Sequence, residues 1–477
     1  MPANRVADAD LPVPGVDAGS DLAAPDAPGP DVQEVGLPDA GVDLSVDLAE
    51  EVGPPPDAAA PVSWVRSYGG AQGEVSASSS ILEVGGGYLV GASTVSFGNQ
   101  ANAWLVQLNA VGEVSWQKAY GGTDHDYLMS LAAGPDGRIA FGGTTASYGA
   151  GGADAWVVRV DGAGKIVWQK TFGGPSTDAL GRLLATNDGG FIFVAVTQSF
   201  GKGADDIWVV KLDATGAVTW QRSFGGDNEE EAHDIVELPG GGYLVCGSTR
   251  SFQYPAFDDA WLLRLAADGS VVWQKRYGAP DRSEQAIAID RTSDGGFVVA
   301  GATEPVLSSD IDLWVFKIDA EGAIAWQKRY ASPEQDNVRS IRALPAGGYV
   351  LSGSTVSSPN VEKAWVLQLG ADGAVAWSQL FGGTGHELAT FAQPALDGGL
   401  IVEGMSTFGA GSYDLWILKL LADGGGTKLG KPAPPMVEST AVTPVATMAV
   451  PVVTTAVPAD SAAVPVDTTA TTAQQAP

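Results

Sequence analysis

One cysteine, three histidines and five methionines are all that 477 residues contain of the softer metal ligands. A single cysteine excludes a disulfide framework and any cysteine-rich metal site. Cys246 lies within the apolar run YLVCGST and reads as a small buried hydrophobe. His125, His233 and His386 show neither HxH nor HExxH spacing, which argues against a zinc centre. There is no GxSxG elbow and no phosphate-binding loop. No run of eighteen apolar residues occurs, so no membrane-spanning helix is expected. The N-terminus MPANRVADAD lacks the basic-then-apolar profile of a secretory signal, which fits either a cytosolic protein or a start that omits an export segment. Charge is sparse and one-sided: 17% of residues are charged, 26 Lys and Arg stand against 56 Asp and Glu, and the net charge is -30. Nucleic acid and anionic lipid need stripes of Lys and Arg, so both are excluded as partners, and cations or basic surfaces are favoured.

Tryptophan is abundant, and it is regularly placed. Trp104, Trp156, Trp208, Trp261, Trp314 and Trp365 are each followed twelve residues later by Trp116, Trp168, Trp220, Trp273, Trp326 and Trp377. Trp416 lacks its follower and Trp64 its predecessor, so the two ends of the array together complete a seventh pair. A repeat of 51 to 53 residues that closes on itself in this way implies a ring.

Three regions follow. Residues 1–63 are rich in Asp, Ala, Pro and Gly and have no aromatic residue, the composition of a disordered acidic linker. Residues 64–424 hold the repeats. Residues 425–477 are rich in Pro, Thr, Ala and Val and read as an extended, disordered tail.

Within one repeat, residues 174–226, the segments ALGRLLAT, FIFVAVT, IWVVKLD and VTWQRSF are rich in Val, Ile, Phe and Trp and read as four strands. Turns such as Asp188-Gly189-Gly190, Asp294-Gly295-Gly296 and Asp397-Gly398-Gly399 supply tight hairpins. The expected fold is all-β: a seven-bladed β-propeller of four-stranded antiparallel blades, closed by the N-terminal strand WVRSY completing the C-terminal blade. A monomer is expected.

The recurring blocks DGG-aromatic-x-V-x-G, D-x-W-L/V-V-x-K/R-L-D-x-x-G and V-x-W-Q-K-x-Y/F-G-G resemble bacterial extracytoplasmic β-propeller repeat proteins with quinoprotein-like blades. The resemblance implies a location outside the cytosol, secreted or at the cell envelope. Pyrroloquinoline-quinone enzymes of the wider group typically have eight blades and often a vicinal cysteine pair. Seven repeats and Cys246 alone depart from that pattern, and no cofactor is expected.

One carboxylate follows each turn between repeats: Glu74, Asp126, Asp178, Glu230, Glu284, Asp336 and Glu387. Seven like charges at the mouth of a channel must be relieved, by Lys or Arg, by backbone amides, or by a cation such as calcium. Arg159, Lys211, Arg264, Lys317 and Lys419 are the bases expected to knit neighbouring blades to these acids. A second set, Asp154, Asp206, Asp259, Asp312 and Asp414, precedes each first tryptophan by two, with Asn102 and Lys363 at the other two positions. These read as local acceptors at a turn. The repeat symmetry breaks in the loop before the third strand, which is SFQYPAFDDA, EPVLSSDIDL and VSSPNVEKA in the fourth to sixth repeats. Tyr254, Phe257, Leu307 and Lys363 are the candidate partner contacts there. The function expected from these features is a non-catalytic propeller offering an acidic face to a protein or peptide. A glycan- or calcium-binding module is the alternative, and a lyase or hydrolase at the channel mouth the third reading.

Overall fold

A computed structural model describes residues 63–422 apart from short loops (70–72, 97–99, 253–256, 280, 306–310, 331–334, 358–360, 383–384 and 408–412), and five short segments between 438 and 475. The first 62 residues and most of those after 422 lie outside the described residues. Twenty-eight strands form the body, and no helix occurs among the described residues.

The strands make seven antiparallel sheets, each running from an inner to an outer strand in chain order. The seven inner strands are Glu74–Val84, Asp126–Ala133, Asp178–Ala185, Glu230–Glu237, Arg282–Arg291, Asp336–Ala343 and Glu387–Pro394, here the first strands of blades 1 to 7. Blade 7 takes its outer strand, Trp64–Tyr68, from the other end of the body, paired over its whole length with Asp414–Leu420. Short pieces of the C-terminal stretch, among them Val450–Val453, run antiparallel along the outer strands of blades 2 to 6.

Burial on both faces explains the apolar strands. Phe191–Thr197 and Asp206–Leu212 are buried at nearly every position, because each sheet is covered by a blade on either side. Seven hydrophobic clusters fill the body, one per interface between neighbouring blades. The first tryptophan of each complete pair is at most 1% exposed. At five junctions the second grips the next blade, as where Trp168 Nε1 donates to the Ala214 carbonyl at 3.2 Å, Trp220 to Ala267 at 2.9 Å and Trp64 to Ala110 at 3.1 Å, whereas Trp377 donates to Gln368 of its own blade. Four residues further on, Tyr120, Tyr277 and Tyr330 donate their hydroxyls to the carbonyls of Gly164, Gly322 and Gly373.

These carbonyls belong to the D-x-x-G turns, which explains why the turn ends in glycine. Gly164 has φ 74°, and a Cβ there would lie 2.8 Å from the Trp116 ring and 2.9 Å from the Tyr120 hydroxyl. The spacings of W, Y and D-x-x-G are therefore one interlock repeated around the ring.

Candidate functional site

The seven crossover acids all lie at one end of the blades, in a layer set by strand register. Asp126 pairs with Thr145, which pairs with Asp154; Asp178 pairs with Thr197, which pairs with Asp206; the other blades repeat this order. All seven are at most 2% exposed. Protein groups occupy their lone pairs. Asp178 accepts from the Gly174 amide at 2.7 Å, from Ser199 Oγ at 2.7 Å and from Thr197 Oγ1. Asp126 is held in the same way by Gly122, Ser147 and Thr145, and Glu230 accepts from Gly226 at 2.7 Å and from Thr249 at 2.7 Å.

The bases do not play the part expected of them. Lys211 Nζ lies 2.8 Å from Asp188, Lys419 Nζ lies 2.8 Å from Asp397, and Lys317 pairs with Asp294. All three partners are DGG-turn aspartates at the opposite end of the blades, because three residues past the tryptophan carries the chain down the strand, away from the crossover. Among the described residues no group of three or more His, Cys, Asp or Glu side chains is disposed to hold a metal ion.

What each crossover acid does meet is the second set. Asp414, Asp154, Asp206 and Asp259 face Glu74, Asp178, Glu230 and Glu284 of the following blade. Burial, reinforced by the facing carboxyl, pushes Asp154, Asp206 and Glu284 up to about 7. Glu74 is likewise pushed up to about 7, first by burial and then by the facing Asp414 carboxyl. The turn reading of the second set holds in part, since Asp154 also accepts from the Ala150 amide four residues before it, at 2.8 Å.

The other junctions relieve the charge differently. Asn102 replaces an acid opposite Asp126, Lys363 Nζ lies 3.0 Å from Glu387, and Arg276 and Arg329 pair with Asp259 and Asp312. His125 and His386 stand at the two junctions where the second acid is absent, each accepting a backbone amide of the preceding blade, from Ala101 and Glu362, at 3.4 Å. Lys363, expected as a partner contact, is thus committed to an internal ion pair. Tyr254 and Leu307 lie outside the described residues, and Phe257 is half-buried.

Symmetry fails most at the axis, on the inner strands. In blades 2 to 7 the inner strand carries a one-residue bulge, at Met129, Gly181, His233, Ile287, Arg339 and Thr390. No two of these residues are alike. Just past the bulge, Arg182 Nε of blade 3 lies 3.1 Å from Asp234 Oδ1 of blade 4, and Arg342 Nη1 of blade 6 lies 3.7 Å from Asp234 Oδ2. Blades 4 and 6 are not neighbours, so Arg342 and Asp234 meet across the central channel. The Ile235 and Ile289 amides also donate to Asp234, and Asp290 accepts from the Ala343 amide at 2.8 Å. Burial pushes Arg182 down to about 10, with Asp234 opposing the shift and Arg342 adding to it. On the rim side of this cluster His233 Nε2 lies 3.5 Å from Glu231, and Gln285 donates to Asp258, which Arg250 also binds. The irregular loop of blade 4 and the irregular axis positions therefore converge. Sequence reasoning missed the arginines because neither recurs: Arg182 stands four residues after its crossover acid and Arg342 six, and no other repeat has an arginine at either place. It also missed the Thr and Ser that hold the acids, although a threonine or serine recurs nineteen or twenty residues after every one of them.

No family model and no curated protein matches the chain, so the likeness to extracytoplasmic propellers rests on the repeat motifs alone. Solved structures do match. A mutant of the Synechocystis apocarotenoid oxygenase is 13% identical, over 81% of this chain and 97% of that one, with a TM-score of 0.41. A subtype N11 neuraminidase-like protein of A/flat-faced bat/Peru/033/2010 (H18N11) is 11% identical over 77% and 96%, with a TM-score of 0.31. Xylan β-1,4-xylosidase from Bacillus halodurans C-125 is 10% identical over 78% and 85%, with a TM-score of 0.21. Enzymes are among these neighbours, and this corrects the expectation of a non-catalytic scaffold for a protein or peptide: likeness in architecture does not separate catalytic from non-catalytic propellers.

Proposed function

We propose that the protein recognises a small organic anion bearing hydroxyl groups, such as a hydroxy-carboxylate or sugar acid, at the mouth of the central channel beside blades 3 to 6. One observation carries this reading: Arg182 and Arg342 converge on a single carboxylate from blades that are not neighbours, with Arg339 one step nearer the rim. Guanidinium groups are planar forks matched to carboxylates, and in a body that is otherwise strongly acidic their gathering at the axis selects for an anion there. Glu231, Gln285 and Asn337, each half-buried on the rim side, supply acceptors and donors suited to hydroxyl groups. The motif likeness to extracytoplasmic propellers fits a solute met outside the cytosol.

Calorimetric titration with sugar acids and hydroxy-carboxylates, against the corresponding neutral sugars, tests the reading. Binding of the anions only, weakened about tenfold or more in Arg339→Ala, is expected from the loss of a charge-assisted contact. Equal binding of neutral sugars, or unchanged affinity in Arg339→Ala, overturns it.

A further inference from the structure

We propose that three of the seven blade junctions, those between blades 7 and 1, 2 and 3, and 3 and 4, are fastened by a proton shared between two buried carboxyl groups, so that the ring loosens when that proton is lost.

The geometry is local and specific. At the closing junction Glu74 Oε2 and Asp414 Oδ1 both crowd Gly69 so closely that a Cβ there would collide with them. Asp154 Oδ1 and Asp178 Oδ2 crowd Gly173 in the same way, and Asp206 Oδ1 and Glu230 Oε2 crowd Gly225. This explains the first glycine of these three turns, where a Cβ would be driven into two carboxyl groups. Two carboxylates in such contact repel, whereas one carboxyl and one carboxylate form a strong hydrogen bond.

The groups facing each pair are few. Ser96 and Thr94 act on Glu74; the Ala150 amide acts on Asp154; Gly174, Thr197 and Ser199 act on Asp178. Asp206 feels Glu230, Asp205 and both the amide and the exposed side chain of Lys202, and Glu230 is held by Gly226, Ser251 and Thr249. The remaining junctions serve as internal controls. Asn102 opposite Asp126 replaces an acid by its neutral isostere, Lys363 answers Glu387 with a full charge, and arginines answer Asp259 and Asp312.

The sign follows from linkage. Glu74, Asp154 and Asp206 hold their protons up to about pH 7 when folded and release them near pH 4 when unfolded. The stabilisation is therefore complete in mild acid, below about pH 4 as far as these groups are concerned, and is lost as pH rises through 7.

Thermal unfolding from pH 5 to 8.5, with amide exchange read across Trp64–Tyr68 and Asp414–Leu420, tests the proposal. The wild-type midpoint is expected to fall by roughly 5 °C or more over that range, with faster exchange in the closing strand at the alkaline end. Combined Asp154→Asn, Asp206→Asn and Asp414→Asn should flatten the profile. Asn102→Asp adds a fourth pair and should steepen it, which keeps the test sharp even if the triple variant folds poorly. A wild-type midpoint that is level or rises from pH 5 to 8.5 overturns the proposal. So does an unchanged slope in Asn102→Asp, or a slope abolished by added calcium and restored by a chelator, which would make a metal the fastener.

Discussion

Gly173 shows how a single position records a contact between two blades. Its Cα sits beneath Asp154 and Asp178, and the next residue, Gly174, donates its amide to Asp178 at 2.7 Å. Gly173→Ala forces a methyl group onto two carboxyl groups that cannot retreat, since the Ala150 amide and Thr197 hold them. A loss of about 2–3 kcal/mol is expected in urea unfolding, within the range of overpacking in a filled site. The corresponding change at Gly137, where nothing lies within 4 Å of the added carbon, has φ 80° against it but no collision, and should cost about 1 kcal/mol. The GG and D-x-x-G motifs were visible in the sequence as turn signals. Their tighter requirement was not, because the atoms that impose it come from a segment about 20 residues away or from the next repeat.

At the scale of the element, the strand Trp64–Tyr68 matters out of proportion to its five residues. It pairs with Asp414–Leu420 through five consecutive positions, and Trp64, 4% exposed, fills the cluster shared by blades 7 and 1 beside Tyr88 and Trp104. Its indole also holds the Ala110 carbonyl of blade 1. Trp64→Ala is therefore expected to cost about 3–5 kcal/mol, as a large core truncation does, and to expose the edge of Asp414–Leu420. Amide exchange confined at first to that strand would be the readout. The sequence announced this strand through the unpaired tryptophans at its two ends. The inner strands were less legible: their bulges shift the alternation of side chains by one residue, so a reading by simple period places Arg182, Asp234 and Arg342 in no particular relation.

For the whole molecule, the seven interface clusters form an unbroken cycle, each blade contributing to two of them. Because no blade buries its faces alone, the ring should unfold in one step, with tryptophan fluorescence and far-ultraviolet dichroism giving coincident transitions in denaturant. Two separated transitions would show that some blades stand independently.

Fold, blade number and the face that carries the acids follow from local periodicity: twelve-residue tryptophan pairs, turn glycines and apolar runs repeat in one dimension as they do around the ring. Which acid meets which base, and what gathers at the axis, does not. Lys211 binds the turn aspartate 23 residues before it rather than a crossover acid, and Asp234 meets an arginine 108 positions later across a channel that exists only when the ring is complete. Short-range pattern is set by neighbours along the chain, whereas charge partners are set by which strands a closed circle brings face to face.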